Sequence, residues 1–199
     1  AWAGVEKVTD GSPEQMANLE GELRNLAKTL PATHEEIAGV AEAAGQLGVK
    51  RADVADFTKV MIAMGTSTNL TADEAATSMA RFSNIMGTPI KDVQRLGSAI
   101  VALGNDGAST EAEIMAMGLR IAGAGRTVGL TEANVLALAN ALSSVGIEAE
   151  AGGSAISTVM INIDKAVSEG EDKLDSFAKV AGVSAEVFAE KWRSDPAAA

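Results

Sequence analysis

Residues 71–104 read TADEAATSMARFSNIMGTPIKDVQRLGSAIVALG, and this stretch decides the fold class. Thr71 with Glu74 forms a Ser/Thr-x-x-Glu capping box, in which the hydroxyl accepts from a free N–H of the first turn while the carboxylate reaches back to the cap. Behind it Ala75, Met79, Phe82 and Met86 recur at helical spacing, and Gly87 can close the helix at positive φ. Thr88-Pro89 reads as the next start, with proline at a first helical position. Val93, Leu96, Ile100 and Leu103 then repeat the apolar spacing up to Gly104. The stretch therefore holds two amphipathic helices back to back.

The same punctuation extends in both directions. Ser12-Pro13-Glu14-Gln15, Thr33 with Glu36 and Thr110 with Glu113 are further boxes, and Thr131-Glu132 and Ser184-Ala185-Glu186 are looser versions. Gly48, Gly65, Gly129, Gly146 and Gly182 each follow an apolar run as a stop. In Gly48-Val49, Gly129-Leu130, Gly146-Ile147 and Gly182-Val183 the aliphatic residue can cover the helix end just passed. Val54, Phe57, Val60, Met61 and Met64 make another three-four stripe. The reading predicts helices at 13–30, 33–47, 51–64, 71–87, 89–104, 110–124, 131–145, 149–168, 171–181 and 184–193. Thr158 to Ile163 is locally ambiguous but lacks flanking breakers, so it stays helical.

The predicted class is all-α: a compact multi-helix bundle of nine to ten helices joined by short Gly-containing turns. Residues 1–10, with Trp2, Val5 and Val8 at helical spacing and no start signal, read as the end of a helix continuing from upstream sequence. Residues 11–193 read as one all-α module, with 105–110 the place where it could divide, and 194–199 as a tail or linker. Shared capping chemistry accounts for the regular unit length without a true repeat.

Composition narrows the function classes. The 199 residues carry 27 acidic against 16 basic side chains, a net charge of −11, which opposes adhesion to nucleic acid. There is no cysteine, which excludes disulfides, thiolate nucleophiles and sulfur-ligated metals. Aromatics are 3%, so aliphatic residues and eight methionines must build the core. The longest uncharged run, Ala133 to Ile147, is fifteen residues and short of a membrane span. The opening residues carry Glu6 and Asp10 with no apolar stretch after them, so no signal peptide is expected and the chain reads as soluble.

No motif assembles a reaction centre. His34-Glu35-Glu36 lacks the second histidine of a zinc helix and reads as a solvated first turn. Gly152-Gly153-Ser154 lacks the closing glycine of a nucleophile elbow. Gly123-Ala124-Gly125 with Gly129 follows a helix rather than a strand and has no Lys-Ser/Thr, so it reads as a helix terminus and turn. Asn105-Asp106-Gly107 lacks the ligand positions of a calcium loop and reads as a turn. Glu35-Glu36, Asp73-Glu74 and Glu171-Asp172 are paired carboxylates in predicted first turns, where the helix dipole favours negative charge. The expectation is no catalytic residue, no cofactor-binding residue, no metal ligand and no cofactor. Residues 127–164 contain no Lys or Arg, and Gly152, Gly153, Ser154, Ala155 and Ser157 permit close helix approach, so a helix-packing surface is expected there.

The order of these pieces resembles the core region of phage tail tape measure proteins, prophage copies included. The likeness covers about 1–190. It is carried by Ala1-Trp2-Ala3-Gly4-Val5, Ala41 to Val49, Asp56 to Met61 with Thr68-Asn69-Leu70, Ala75-Ala76 and Phe82. It continues through Gly97 to Asn105, Leu130 to Ala133, Ala141 to Ala149 and Gly152 to Ile156. The resemblance implies a non-enzymatic structural and assembly protein of the virion tail, made in the host cytoplasm. Such a protein sets tail length, scaffolds tube assembly and takes part in genome ejection. It implies self-association in a multi-copy assembly, tail tube and tail assembly chaperone partners and no sequence-specific nucleic acid binding. Membrane contact during ejection is left open. Caps or glycines about every twenty residues make this a compact module rather than the continuous helix of a ruler, and the missing start signal at its opening residues makes it read as an excised segment of a larger protein. The competing classes are a generic helical interaction module and, third, a peptidoglycan-cleaving helical domain.

Overall fold

The computed structural model describes residues 2–170 and 173–199. Among them the chain forms eleven α-helices, one 3-10 turn and no strand. The helices are α1 Trp2–Val8, α2 Pro13–Thr29, α3 His34–Gln46, α4 Arg51–Ser67, α5 Ala72–Met86, α6 Val93–Asp106, α7 Glu111–Thr127, α8 Glu132–Ser144, α9 Ala149–Glu169, α10 Lys173–Ala181 and α11 Ala185–Ser194. The predicted number of nine to ten is therefore slightly low. Trp2–Val8 is helical, docked on α3 with Val5 fully buried. The predicted helix at 89–104 is instead a 3-10 turn, Ile90–Asp92, leading into α6.

The caps form as their residue types dictate. Ser12 with Gln15, Thr33 with Glu36, Thr71 with Glu74 and Thr110 with Glu113 all close reciprocal boxes, and Thr131 with Asn134 adds one. Ser184 accepts from the Val187 N–H. Thr88 does not cap: it is buried, and its hydroxyl has no hydrogen-bond partner.

In three of the boxes the Thr backbone N–H and then the Thr hydroxyl donate to the glutamate carboxylate, which holds Glu36, Glu74 and Glu113 below the usual carboxylate value of 4.5. Glu186 is lowered too, first by its own backbone N–H and then by Ser184. A depressed folded-state pKa means that the unfolded chain takes up protons first. The associated stability is present above 4.5 and drains as pH falls through the lower folded values. Urea midpoints measured from pH 7 to pH 3 are expected to fall on the acid side. The decline should be shallower in the triple variant E36Q/E74Q/E113Q, whose amides still accept the hydrogen bonds but do not titrate.

Two predicted stops are not stops. Gly65 lies inside α4 and Gly104 inside α6. At Gly65 an added Cβ would sit 2.8 Å from the Ala72 backbone nitrogen, and at Gly104 2.6 Å from the Glu111 carboxyl carbon. These glycines serve close approach instead of chain reversal. The positive-φ glycines are 48, 87, 129, 146, 170 and 182, so Gly170 closes α9 without having been foreseen. After four of them the aliphatic residue's N–H bonds back into the helix, as from Val49 to the Ala44 carbonyl at 3.0 Å and from Leu130 to Gly125 at 2.8 Å. Val49 and Leu130 are buried, and Ile147 remains 38% exposed.

The core is aliphatic and methionine-rich, as the scarcity of aromatic residues requires. Phe57, Phe82, Met61, Met79, Met115 and Met117 are almost fully buried. Helix α7 lies at its centre, packed against α5, α6, α8 and α9, so packing runs across 105–110. At the far end α10 and α11 lie on α9. There Phe188 stacks on Trp192 with centroids 6.3 Å apart, and the indole N–H donates to Asp164 at 3.2 Å.

Candidate functional site

The residues weighed as chemical candidates are scattered through this framework. His34 opens α3 half-buried, with Nδ1 shut off from water and without a hydrogen-bond partner, which corrects the solvated first turn expected for it. Glu36 and Glu74 are capping groups, while Glu171 and Asp172 lie outside the described residues. Gly123 and Gly125 lie at the C-terminal end of α7, which runs on to Thr127, and Gly129 makes the turn after it at positive φ, as the helix terminus and turn expected there. Val135 packs where a Cβ on Gly125 would project, 2.8 Å away. Asn105 and Asp106 are likewise the last residues of α6 and not a turn, and the chain leaves the helix at Gly107 under the Asn140 side chain. Among the described residues no group of three or more His, Cys, Asp or Glu could hold a metal ion. Among them, too, no helix is long and apolar enough to cross a membrane.

What the fold does expose is packing surface. The cation-free segment divides into an inner and an outer face. On the inner face Gly153 is buried against α7, where an added Cβ would lie 2.6 Å from Arg120 Cβ, and Ser157 donates to the Arg120 carbonyl at 3.2 Å. The outer face of α9 presents Ala151, Ala155, Thr158, Val159, Ile161 and Asn162 to solvent, with Val159 45% and Ile161 41% exposed. On α8, Ala133, Ala137 and Ala141 are exposed at every fourth position, leading to Val145 at 74%. The composition of the segment made this surface readable from sequence.

A second feature had no such signal. Helix α4 and the segment from Ile90 through α6 enclose an open groove of about 630 Å³. Val60, Ala63, Met64, Gly97, Val101 and Ala102 make its floor, and Asp53, Asp56, Lys59 and Lys91 stand on its margins. Gly97 sets the depth, since its missing side chain lets α6 approach Met64 Sδ, which would lie 3.1 Å from a Cβ there.

An all-helical fold whose open features include a groove and uncharged helix faces is of the class that offers surfaces suited to packing against other polypeptides. Comparison of the sequence sharpens that class. The family model of phage-related minor tail proteins matches residues 20–198, nearly the whole chain, and the chain belongs to that family. It is thus a phage tail protein. No curated protein and no solved structure matches it.

Proposed function

We propose that this chain is a compact helical module of a tape measure protein, which sets tail length, scaffolds the polymerising tube and takes part in genome ejection. The observation that carries the reading is the family match over 20–198, falling on a fold of short, back-folded helices. The longest, α9, has 21 residues and spans roughly 31 Å, too little for a ruler. The role proposed is accordingly that of the folded body attached to a ruler, acting without catalysis, with tube and assembly chaperone proteins as its neighbours. The test is the tail length of a phage whose copy lacks residues 89–104.

The uncharged outer face of α8 and α9 is proposed as the self-association surface of the assembled form. Apolar exposed side chains favour association, and the lack of charge between Glu150 and Asp164 means that no ion need be desolvated within that stretch. Sedimentation at rising protein concentration is expected to show a reversible oligomer that V159K/I161K disperses. A wild-type chain that stays monomeric at high concentration would remove this surface from the proposal.

A further inference from the structure

Helix α9 is shared between two neighbours. Its first half is seated on α7, where Gly153 approaches Arg120 and Ser157 donates to the Arg120 carbonyl. Its last turns carry the α10–α11 hairpin, and among the described residues that hairpin packs within itself and on α9, with no more than marginal contact to any other helix. The hairpin is closed on its own terms. Gly182 turns the chain at φ 73°, the Val183 N–H returns to the Ala178 carbonyl at 3.0 Å, and Ser184 caps α11. The Trp192 indole donates to Asp164 at 3.2 Å and Arg193 to the Val167 carbonyl at 2.8 Å, which fastens α11 to the far end of α9. The last turn of a helix is also where its dipole favours a cation.

What the hairpin covers is the end of a stripe that is open elsewhere. Ala151, Ala155, Val159 and Asn162 follow one another along α9 at steps of three and four, and all four face solvent. The next step of the same stripe is Ala166, which is 0% exposed. Its side chain is that of Ala151 and Ala155; what differs is the hairpin docked at that turn. We infer that α10–α11 is an autoinhibitory clasp on α9. Docked, it stops the outer face at Asn162; released, it opens that face through to the end of the helix. The inference rests on the reading of the outer face as the self-association surface.

Length sets the size of the effect. Ala151 to Asn162 is eleven steps, roughly 16 Å, whereas the 21 residues of α9 span roughly 31 Å, so release about doubles the run on which a second copy can lie. The charged residues Lys165 and Glu169 in the uncovered turns pair with each other at 3.7 Å. The seat that opposes release is small: Val167 of α9 with Ala178, Phe188, Ala189 and Trp192 of the hairpin are its buried apolar side chains. A unit held through one helix opens at a lower free energy than a core that several helices share around α7. The clasp and a second copy compete for the same end of α9, so each weakens the hold of the other.

The test uses the full chain in a W2F background, where Trp192 is the one tryptophan left. D164A/R193A removes the fastening, and A166L pries the hairpin off by overfilling its seat without adding charge to the face. Both are expected to shift Trp192 emission to the red and to raise its quenching by acrylamide, with the melting of the bundle unchanged. In sedimentation both should associate at least fivefold more tightly than the W2F parent, and adding V159K/I161K should erase the gain. Trp192 that stays shielded in both variants, or a bundle that collapses in both, would make the hairpin a fixed part of the core and overturn the inference. So would a gain that V159K/I161K leaves intact. If the parent associates and release changes nothing, the clasp alone falls; if neither the parent nor the released variants associate, the self-association reading falls and takes the clasp with it.

Discussion

A phage carrying an in-frame deletion of residues 89–104 is expected to make no functional tails, or aberrant ones, and none shortened in proportion. Sixteen residues removed from a continuous helix would shorten it by roughly 24 Å, a change that electron microscopy of tails can measure. In this fold the same deletion removes the 3-10 turn and most of α6, which packs against α4, α5, α7 and α8. Val93, Leu96 and Ile100 leave the core with it. The faces they covered on the neighbouring helices become solvent-exposed, and Thr88 must join Asn105 with the intervening helix gone. A folded chain of this length has a radius of gyration of about 16 Å, against about 300 Å for the same residues as one helix, so its internal segments do not add to a length. Intact, infectious tails shortened by the helical increment would make this segment ruler and defeat the compact-module proposal.

How much of this was legible in the sequence depended on how local the deciding chemistry is. A capping box is complete within four residues, so Ser12 with Gln15, Thr33 with Glu36 and Thr110 with Glu113 could be placed before any coordinates. Glycines are different. Gly87 and Gly65 each follow an apolar run, yet one turns the chain at φ 77° and the other stays helical beneath the incoming Ala72 backbone. What separates them arrives from elsewhere in the fold, and the flanking residues do not reveal it. The same limit set the end of α6, which runs past Gly104 to Asp106.

The two surfaces divide along the same line. The α8–α9 face is a property of one continuous segment, and the absence of Lys and Arg from 127–164 announced it. The α4–α6 groove joins residues about 35 positions apart. Val60 and Met64 share one apolar stripe in the sequence, but Met64 is buried while Val60 is half-exposed on the groove floor. Periodicity identifies the stripe and not how much of it a neighbour covers. His34 shows the reverse case, a residue whose position at a helix start suggested solvent and whose ring nitrogen is enclosed by packing.

Phe82→Ala is expected to remove about 3–5 kcal/mol of folding stability, the largest effect of any single truncation proposed for this core. Phe82 is fully buried on α5, and its ring edge points at Gly118 of α7, where an added Cβ would lie 3.6 Å from Phe82 Cε2, 3.7 Å from Leu136 and 3.9 Å from Ala139. Three helices, α5, α7 and α8, therefore meet around one ring and one missing side chain. Removing the ring leaves a void that Leu136 and Ala139, fixed on α8, are poorly placed to fill. For a domain of this size the loss corresponds to a drop in melting temperature of roughly 6–20 °C. Gly118→Ala separates loss of the ring from general fragility of the contact. Its Cβ meets its neighbours at ordinary van der Waals distance, so it should be neutral, or stabilising by up to about 1 kcal/mol through the better helix former. Val180→Ala, at a side chain 90% exposed, should stay within about 0.5 kcal/mol of wild type. Urea denaturation of the three variants decides the matter: a Phe82→Ala loss below about 1 kcal/mol would mean that α5 and α8 close over the gap, and that the centre of the bundle is not held by this contact.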